Sequence, residues 1–216
     1  MSSRDAILSR IRTALALDPS RDPPPVPEVW PRKNPPPAEM ARRFAEELEA
    51  VHGEVIRVPN LDEARKRLAE LMEQEGWTKL GAMDRPLCRD VVQTTNPDCI
   101  AWAQSDWTPP GMADLSAGLV EADLLLADTG TAMIAAGRAE ERLLCYLPPA
   151  CIVIATMDRL VEHLPAAWPE IAPRVADPQT RGEFVFITGP SRTADIEKIL
   201  ILGVHGPKRL IVLLVG

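Results

Sequence analysis

The residues best suited to chemistry form two glycine-containing turns, and the first of them is "ADTGTA", residues 127–132. Asp128 provides a carboxylate, Thr129 and Thr131 provide hydroxyls, and Gly130 permits a positive φ that lets a ligand approach the backbone closely. These groups together predict a site for a small polar ligand. The same residue types are also typical of a tight hairpin turn, and the sequence leaves both interpretations open.

The second turn, "GPSRT", begins at Gly189 and precedes a helix that the pattern predicts over residues 193–202. Ser191 or Thr193 would cap that helix, and the free N–H groups of its first turn would favour an anion. Arg192 would add a forked positive charge that is retained at every physiological pH. We therefore expect an anion-binding turn at this position.

Three further residues are candidates for acid–base catalysis. Asp195 and Glu197 lie in the first turn of the predicted helix, where their negative charges partly oppose an anion. His205 and Gly206 belong to the segment "GVHGP", between the predicted helix and the last apolar run. A histidine titrates near neutral pH and can transfer a proton, but His205 is equally suited to capping the C-terminal end of the helix.

The elements that must position these residues alternate between helical and extended segments from residue 38 onward. Apolar runs such as "CIVIA" and "LIVLLV" lack period-two alternation, which is typical of parallel strands buried on both faces. The pattern predicts an α/β fold for residues 38–216, with a mostly parallel sheet flanked by helices. The stretch 94–117 is expected to be irregular. Because both candidate turns follow predicted strands, they could face one cleft at the carboxyl ends of the strands.

An N-terminal arm precedes this domain. Residues 1–18 are predicted to form a short amphipathic helix, and residues 19–37 a proline-rich linker, since the segment 18–37 holds nine of the chain's 22 prolines. The helix must bury its apolar face against another surface. Its own domain or a symmetry mate in a homo-oligomer is favoured, and a partner protein is the alternative.

Composition and charge argue against several classes of protein. The net charge of −7 argues against a dedicated nucleic-acid binder, which needs a basic face. No window approaches the ~20 apolar residues of a membrane span, and the charged start "MSSRDAILSR" predicts no signal peptide, so we expect a cytoplasmic location. The four cysteines include no C-x-x-C pair, so we expect buried free thiols, no metal site and no cofactor in this chain.

Three segments taken together, "ADTGTAMIAAG", "LPPACIVIAT" and "GPSRTADIEKILILGVHGP", resemble the LUD-domain family. The resemblance covers most of the chain and implies a fold similar to the superfamily of ribose-5-phosphate isomerase, glucosamine-6-phosphate isomerase and CoA transferases. It also implies a role in the bacterial oxidation of L-lactate to pyruvate, beside two other proteins of which at least one carries iron–sulfur clusters. Because this chain lacks the cysteine motifs of those proteins, the resemblance makes it the member without clusters.

The resemblance assigns this chain the positions of the family's motifs, but it assigns no catalytic residues. Those positions are Thr129, Gly130, Thr131, Ser191, Arg192, Thr193, Asp195, Glu197, His205 and Gly206.

Three functions are compatible with these observations, and we favour them in the order given. The first is a component of a lactate-oxidising system that works with iron–sulfur subunits. The second is a stand-alone enzyme of the isomerase, transferase or ligase type, in which Arg192 holds an anionic metabolite and His205, Asp195 or Glu197 acts as acid or base. The third is a regulatory domain that binds such a metabolite without turnover.

Overall fold

The chain divides into two compact units, Met1–Pro31 and Arg32–Gly216. In the first unit, helix α1 spans Ser3–Leu17. The surface on which this helix docks and the bounds of the proline-rich linker stay predictions. The structure is a computed structural model, and it describes residues 3–17, 29–104, 106–175, 177–178, 183–193 and 201–216.

Helices and strands alternate along the second unit. Its helices are α2 (Pro37–Ala50), α3 (Leu61–Gln74), α4 (Pro86–Val91), α5 (Pro109–Ala113), α6 (Ala139–Leu144) and α7 (Leu164–Val175). Its strands are β1 (Glu54–Val58), β2 (Leu80–Ala82), β3 (Ile100–Trp102), β4 (Ala117–Glu121), β5 (Leu124–Leu126), β6 (Thr131–Ala135), β7 (Ala150–Thr156), β8 (Leu160–Val161), β9 (Phe184–Ile187), β10 (Arg192–Thr193), β11 (Ile201–Leu202) and β12 (Arg209–Val215). Among the described residues, no helix combines the length and the apolar character needed to cross a bilayer.

A parallel sheet of six strands lies at the centre of the second unit. Its strand order is β1-β12-β7-β4-β2-β3, and every neighbouring pair is parallel. The central strands β7 and β12 carry runs of consecutive buried residues, 150–155 and 210–215. Helices α2, α3, α4 and α6 pack against the strands of this sheet. The predicted α/β fold, with a mostly parallel sheet flanked by helices, is therefore confirmed.

Helix α3 illustrates how local sequence determines these elements. The Asn60 side chain caps the first turn by accepting a hydrogen bond from the backbone N–H of Glu63, at 3.0 Å. Gly76 follows the C-terminal end with a φ of +64°, a conformation in which glycine ends many helices. The apolar residues between these ends share one face, which is buried in the core: Ala64, Leu68, Leu71 and Met72.

A second sheet, with strand order β8-β5-β6-β9, packs beside the first. Strand β6 is antiparallel to both β5 and β9, while β8 is parallel to β5. One face of this sheet carries Leu124 and Met133, which pack with Ile171 of α7. The other face carries Leu125 and Ile134, which belong to the main core. The second sheet thus shares one face with the core and is covered by α7 on the other.

The stretch 94–117 is more regular than expected. It contains helix α5 and strand β3, which forms an edge of the parallel sheet beside β2. Strand β3 has only three residues, too few to show a periodicity in the sequence. The prediction of an irregular stretch is wrong for this reason.

The prediction of a helix over residues 193–202 is wrong for the residues at both ends of that range. Strand β10 pairs antiparallel with β11, so the residues at either end are extended. The pairing is closed by a hydrogen bond of 2.8 Å from the N–H of Gly203 to the carbonyl of Ser191, which stabilises the extended arrangement against the local helical pattern. Residues 194–200 lie outside the described part of the chain.

Candidate ligand-binding site

The turn at residues 127–130 joins β5 to β6 in an antiparallel hairpin. Gly130 has a φ of +61°, and a Cβ placed on it would lie 2.4 Å from the backbone nitrogen of Leu48 in α2. The glycine therefore lets the turn pack directly on the backbone of α2. Helix α2 occupies space that a ligand approaching Gly130 would need. The hairpin interpretation is confirmed, and ligand binding at this turn stays a prediction.

Threonine hydroxyls connect this turn to the second one. The Oγ1 atom of Thr131 lies 2.8 Å from that of Thr129 and 2.7 Å from that of Thr188. Thr131 is only 5% exposed, whereas Thr129 and Thr188 are exposed. Strands β5 and β9 are both antiparallel to β6, so their carboxyl ends lie at the same edge of the second sheet. The structure thus brings the two candidate turns together.

Gly189 in the second turn packs on the same end of α2. It has a φ of +87°, and a Cβ placed on it would lie 2.9 Å from the carbonyl oxygen of Val51. Both glycines are therefore needed for close packing on the C-terminal end of α2 and on the residue that follows it. The two glycines thus allow this end of α2 to pack against the edge of the second sheet.

The rest of the second turn is tied to the loop "GVHGP". The N–H of Ser191 donates to the carbonyl of Pro207 at 2.9 Å, and the carbonyl of Ser191 accepts from Gly203 at 2.8 Å. A Cβ on Gly206 would lie 3.1 Å from the Cβ of Ser191. The two segments that mark the family in sequence therefore form one structural unit.

The anion site expected at Arg192 depended on a helix beginning at Thr193, and the described residues 192–193 are in a strand. Arg192 is exposed on strand β10, and Thr193, the predicted helix start, belongs to the same strand. Their backbone conformation is extended, so they do not present the free N–H groups of a helix start. Asp195 and Glu197 lie outside the described residues, and their candidate roles stay predictions.

His205 is exposed beside an open groove of about 420 Å³. The groove lies at the amino ends of β7 and β12, where the N–H of Lys208 donates to the carbonyl of Pro149 at 2.8 Å. Its lining includes Tyr146, Leu147, Pro149, Val204, His205 and Lys208. Ligands of open α/β sheets usually bind at the carboxyl ends of the strands, so His205 and Gly206 lie at the opposite edge of the parallel sheet.

Side chains of the protein fill the crevice where the strand order of the parallel sheet reverses, at the carboxyl ends of β2 and β4. Such a switch point is the usual ligand crevice of open α/β folds. Here Arg85 donates to the Asp123 carboxylate at 2.9 Å and to the carbonyls of Glu121 and Ala135. The Glu121 carboxylate accepts from the N–H of Leu87 at 2.9 Å, at the start of α4. This crevice holds an internal network of hydrogen bonds.

Asp123 is the centre of that network. Its side chain is 14% exposed, forms ion pairs with Arg85 and Arg174, and accepts a hydrogen bond of 2.7 Å from the N–H of Ala135. Burial works to raise the pKa of Asp123, but the charge of Arg85 and the hydrogen bonds lower it by more. The pKa therefore lies below its ordinary value, and the carboxylate stays ionised between its two arginines.

Glu162 is a second buried carboxylate, at the carboxyl ends of β5 and β8. Its side chain is 10% exposed, and Oε2 accepts from the backbone N–H groups of Lys33 at 2.8 Å and Asn34 at 3.2 Å. Asn34 has a φ of +48°, a left-handed conformation that helps successive N–H groups point at one oxygen. Burial works to raise the pKa of Glu162, but these two hydrogen bonds and neighbouring charges lower it by more.

Two buried polar atoms at the same edge have no hydrogen-bond partner in the described part of the chain, Asp128 Oδ1 and His163 Nε2. The N–H of Asp128 donates to the carbonyl of Glu162 at 3.1 Å, so the two strand ends are adjacent. His163 Nδ1 accepts from the N–H of Ala166 at 3.0 Å, which places the proton of the neutral ring on Nε2. Because buried polar groups are normally paired, this edge can bind a further polar group.

Sequence reasoning found Asp128 but missed Glu162 and His163. The segment "RLVEH" contains no motif, and its only signal is a charged residue directly after a short apolar run. The partners of Glu162 are 128 and 129 positions away, so local spacing does not reveal them.

The cysteines are free, and three of them are buried: Cys88, Cys145 and Cys151. Burial raises the pKa of Cys145 to about 12 and those of Cys88 and Cys151 well above the ordinary value. These thiols therefore stay protonated, whereas metal ligation and nucleophilic attack require the thiolate. Within the ranges that the structure describes, no three His, Cys, Asp or Glu side chains are grouped to hold a metal ion.

We expect Cys99 to react first with a thiol reagent, because it is partly exposed while the other three thiols are buried and protonated. Colorimetric titration of the native protein at pH 8 should show about one fast thiol per chain, and about three more after unfolding in guanidinium. A Cys99→Ser variant should lose the fast phase. Rapid modification of several thiols in the native variant would contradict this burial.

Taken together, the fold and the packed turns define an α/β protein in which a smaller mixed sheet adjoins a parallel six-stranded sheet. A profile of the LUD domain matches residues 41–215. The chain therefore belongs to the LUD domain family, as its motifs indicated.

Relatives within the family carry a common name. The chain is 36% identical over 98 residues to Lactate utilization protein C of Bacillus pumilus (strain SAFR-032), covering 45% of this chain and 41% of that protein. It is 31% identical over 167 residues to Lactate utilization protein C of Geobacillus sp. (strain WCH70), covering 68% of this chain and 66% of that protein. The matched segments thus span less than two thirds of either relative.

A solved structure supports the same architecture. The crystal structure of a DUF162 family protein from Deinococcus radiodurans superposes with a TM-score of 0.63, covering 84% of this chain and 99% of that chain. The two sequences are 19% identical, so the likeness concerns the fold.

Proposed function

We propose that this protein takes part in lactate utilization, as the component of a cytoplasmic L-lactate-oxidising system that holds no iron–sulfur cluster itself. The observation that carries the proposal is the LUD domain match over residues 41–215, together with the similarity to proteins named Lactate utilization protein C. Oxidation of L-lactate to pyruvate releases two electrons and two protons. A component without a redox centre must therefore act beside proteins that accept the electrons, and the proposal assigns this role to iron–sulfur subunits.

The state of the cysteines supports placing the clusters in those partners. An iron–sulfur cluster is usually held by several thiolates at one place. Here Cys88, Cys145 and Cys151 are buried and protonated. In this proposal the chain binds no cofactor of its own and contributes substrate handling or assembly of the complex.

The alternative of a stand-alone enzyme has less support from the geometry. Its anion site depended on a helix beginning at Thr193, and that residue is in a strand. Its acid–base candidate His205 is exposed at the amino edge of the parallel sheet.

Deletion of the gene from its source organism tests the proposal. Growth on L-lactate as the sole carbon source should be lost, because the oxidation to pyruvate would stop, while growth on pyruvate should be unchanged. The full-length gene should restore both growth and L-lactate-dependent dye reduction in lysates. Normal growth of the deletion strain on L-lactate would contradict the proposal unless a second lactate dehydrogenase is active, so a lactate-dehydrogenase-free background is used.

Iron analysis tests the division of roles. The isolated chain, purified without oxygen, should carry far less than one iron per chain, while a complex captured with its partner proteins should contain iron. Stoichiometric iron in the isolated chain, with the absorbance of an iron–sulfur cluster, would overturn the assignment of this chain as the clusterless component.

A further inference from the structure

A small cavity lies between the first half of α2, residues 33–35, and the carboxyl ends of β5 and β8. Its volume is about 140 Å³. Two cations, two carboxylates and apolar side chains line it: Lys33, Arg43, Glu39, Glu162, Met40 and Ala127. The carboxyl ends of parallel strands are the usual place for ligands in α/β sheets, and β5 and β8 are such a pair.

The two cations on the cavity wall are weakly engaged by the protein. The ammonium of Lys33 forms no ion pair within the described ranges of the chain. The Nε atom of Arg43 lies 4.0 Å from the Glu47 carboxylate, at the outer limit of an ion pair, and both side chains are about half exposed. Arg43 can therefore turn its forked guanidinium towards a carboxylate in the cavity at little cost.

Glu162 places a negatively charged hydrogen-bond acceptor on the same cavity wall. Its Oε2 is held by the N–H groups of Lys33 and Asn34, so the carboxylate is fixed and ionised. An ionised carboxylate accepts hydrogen bonds and donates none. The cavity thus combines cations that attract an anion with a carboxylate that can accept a hydrogen bond from a donor on the same ligand.

Two buried polar atoms near Glu162 have no hydrogen-bond partner in the described part of the chain. The His163 side chain is 6% exposed, and its Nε2–H has no acceptor in the described part of the chain, with Glu162 Oε2 at 4.0 Å. Asp128 Oδ1, on the neighbouring strand end, is also buried without a donor. Both residues are next to cavity-lining residues, Ala127 and Glu162, so this edge of the sheet carries polar groups with unused hydrogen-bonding capacity.

We propose that this cavity binds a small carboxylic acid that carries a hydrogen-bond donor on C2, that is, a 2-hydroxy acid or a 2-amino acid. Arg43 and Lys33 bind the carboxylate, and the hydroxyl or ammonium donates to Glu162. A cavity of about 150 Å³ holds benzene, so about six heavy atoms fit here. The site is independent of the partners proposed above, because it rests only on side chains of this chain.

Isothermal titration calorimetry with four three-carbon acids tests the ligand class. L-lactate and L-alanine carry the donor on C2, whereas pyruvate and propionate do not. At least one of the first two should bind about tenfold or more tightly than both of the others, because only these two acids place a hydrogen-bond donor against the Glu162 carboxylate. Comparison of L-lactate with L-alanine identifies the donor. Absence of binding by both, or equal binding of propionate, would overturn the proposal.

Variants on one helix test the location of the site. Arg43→Gln should weaken binding about tenfold or more, because it removes the forked cation from the cavity wall. Arg42→Gln is the matched control, since Arg42 is the preceding residue of α2, pairs with Glu46 at the surface and does not line the cavity. Equal affinity of the two variants would place the site elsewhere. If the deletion strain grows normally on L-lactate while the purified protein still binds lactate or alanine, the proposed role in lactate utilization is rejected and the binding site is not.

Discussion

Replacement of Gly130 by alanine is expected to unfold the protein at a markedly lower temperature. The left-handed conformation at φ +61° costs an alanine about 1–2 kcal/mol, and overpacking adds about 1–3 kcal/mol. The new Cβ would lie 2.4 Å from the backbone nitrogen of Leu48, which cannot move without shifting α2. For a chain of this size the sum corresponds to a fall in Tm of roughly 4–20 °C, measured by thermal denaturation.

Gly76→Ala is the matched control for this substitution. Gly76 has nearly the same φ, +64°, but a Cβ there meets no atom within 4 Å. It should therefore show the conformational cost without the clash, a loss of about 1–2 kcal/mol. A Gly130→Ala variant that is no less stable than Gly76→Ala would mean that the hairpin does not pack on α2 as described.

The comparison also bears on the function of the "ADTGTA" turn. A glycine kept for ligand access can be replaced with a loss of binding and little loss of stability. A glycine kept for packing shows the reverse, and its substitution loosens the contact between α2 and the second sheet.

The fold was predictable because its strongest signal is local. Strands β7 and β12 are buried on both faces, so each contains a run of consecutive apolar residues in the sequence, 150–155 and 210–215. Alternation of such runs with amphipathic helices leaves few architectures other than a parallel sheet covered by helices. Strand β3 was missed because three residues carry no periodicity, and the β10–β11 pair was missed because strand pairing outweighed a helical pattern.

The candidate site was less predictable because its contacts are long-range. Residue types identified Asp128 and the threonines, and the structure brings Thr131 beside Thr188. The carboxylate of Glu162 accepts its hydrogen bonds from backbone groups more than a hundred positions away in the sequence. The residues next to Glu162 in the sequence form no motif that would predict a site. A site of this kind can be identified only from the three-dimensional structure, in which the ends of the strands lie beside each other.

Replacement of Asp123 by asparagine is expected to cost about 3 kcal/mol or more at neutral pH, because it removes the anion that pairs with the largely buried Arg85 and one ion pair of Arg174. Asp123 pairs with Arg85 and Arg174, whose side chains are 19% and 30% exposed. Asp158→Asn is the control, since Asp158 is largely exposed and lies 3.9 Å from Arg159. A surface pair of this kind contributes at most about 1 kcal/mol. Equal urea midpoints for the two variants would contradict the role given to Asp123.

The pH dependence of the Asp123→Asn effect provides a second, independent test. Burial works to raise the pKa of Asp123, but Arg85 and the hydrogen bonds lower it by more, so the folded pKa lies below the unfolded value of about 3.9. The stabilisation is therefore complete above that value and is lost as pH falls through the folded pKa. The difference in free energy of unfolding between the native chain and the variant should be constant from about pH 5 to 8 and shrink below about pH 4. A difference that persists unchanged at pH 3 and below would mean that the loss arises from packing, since only a charge effect disappears when the carboxyl is protonated.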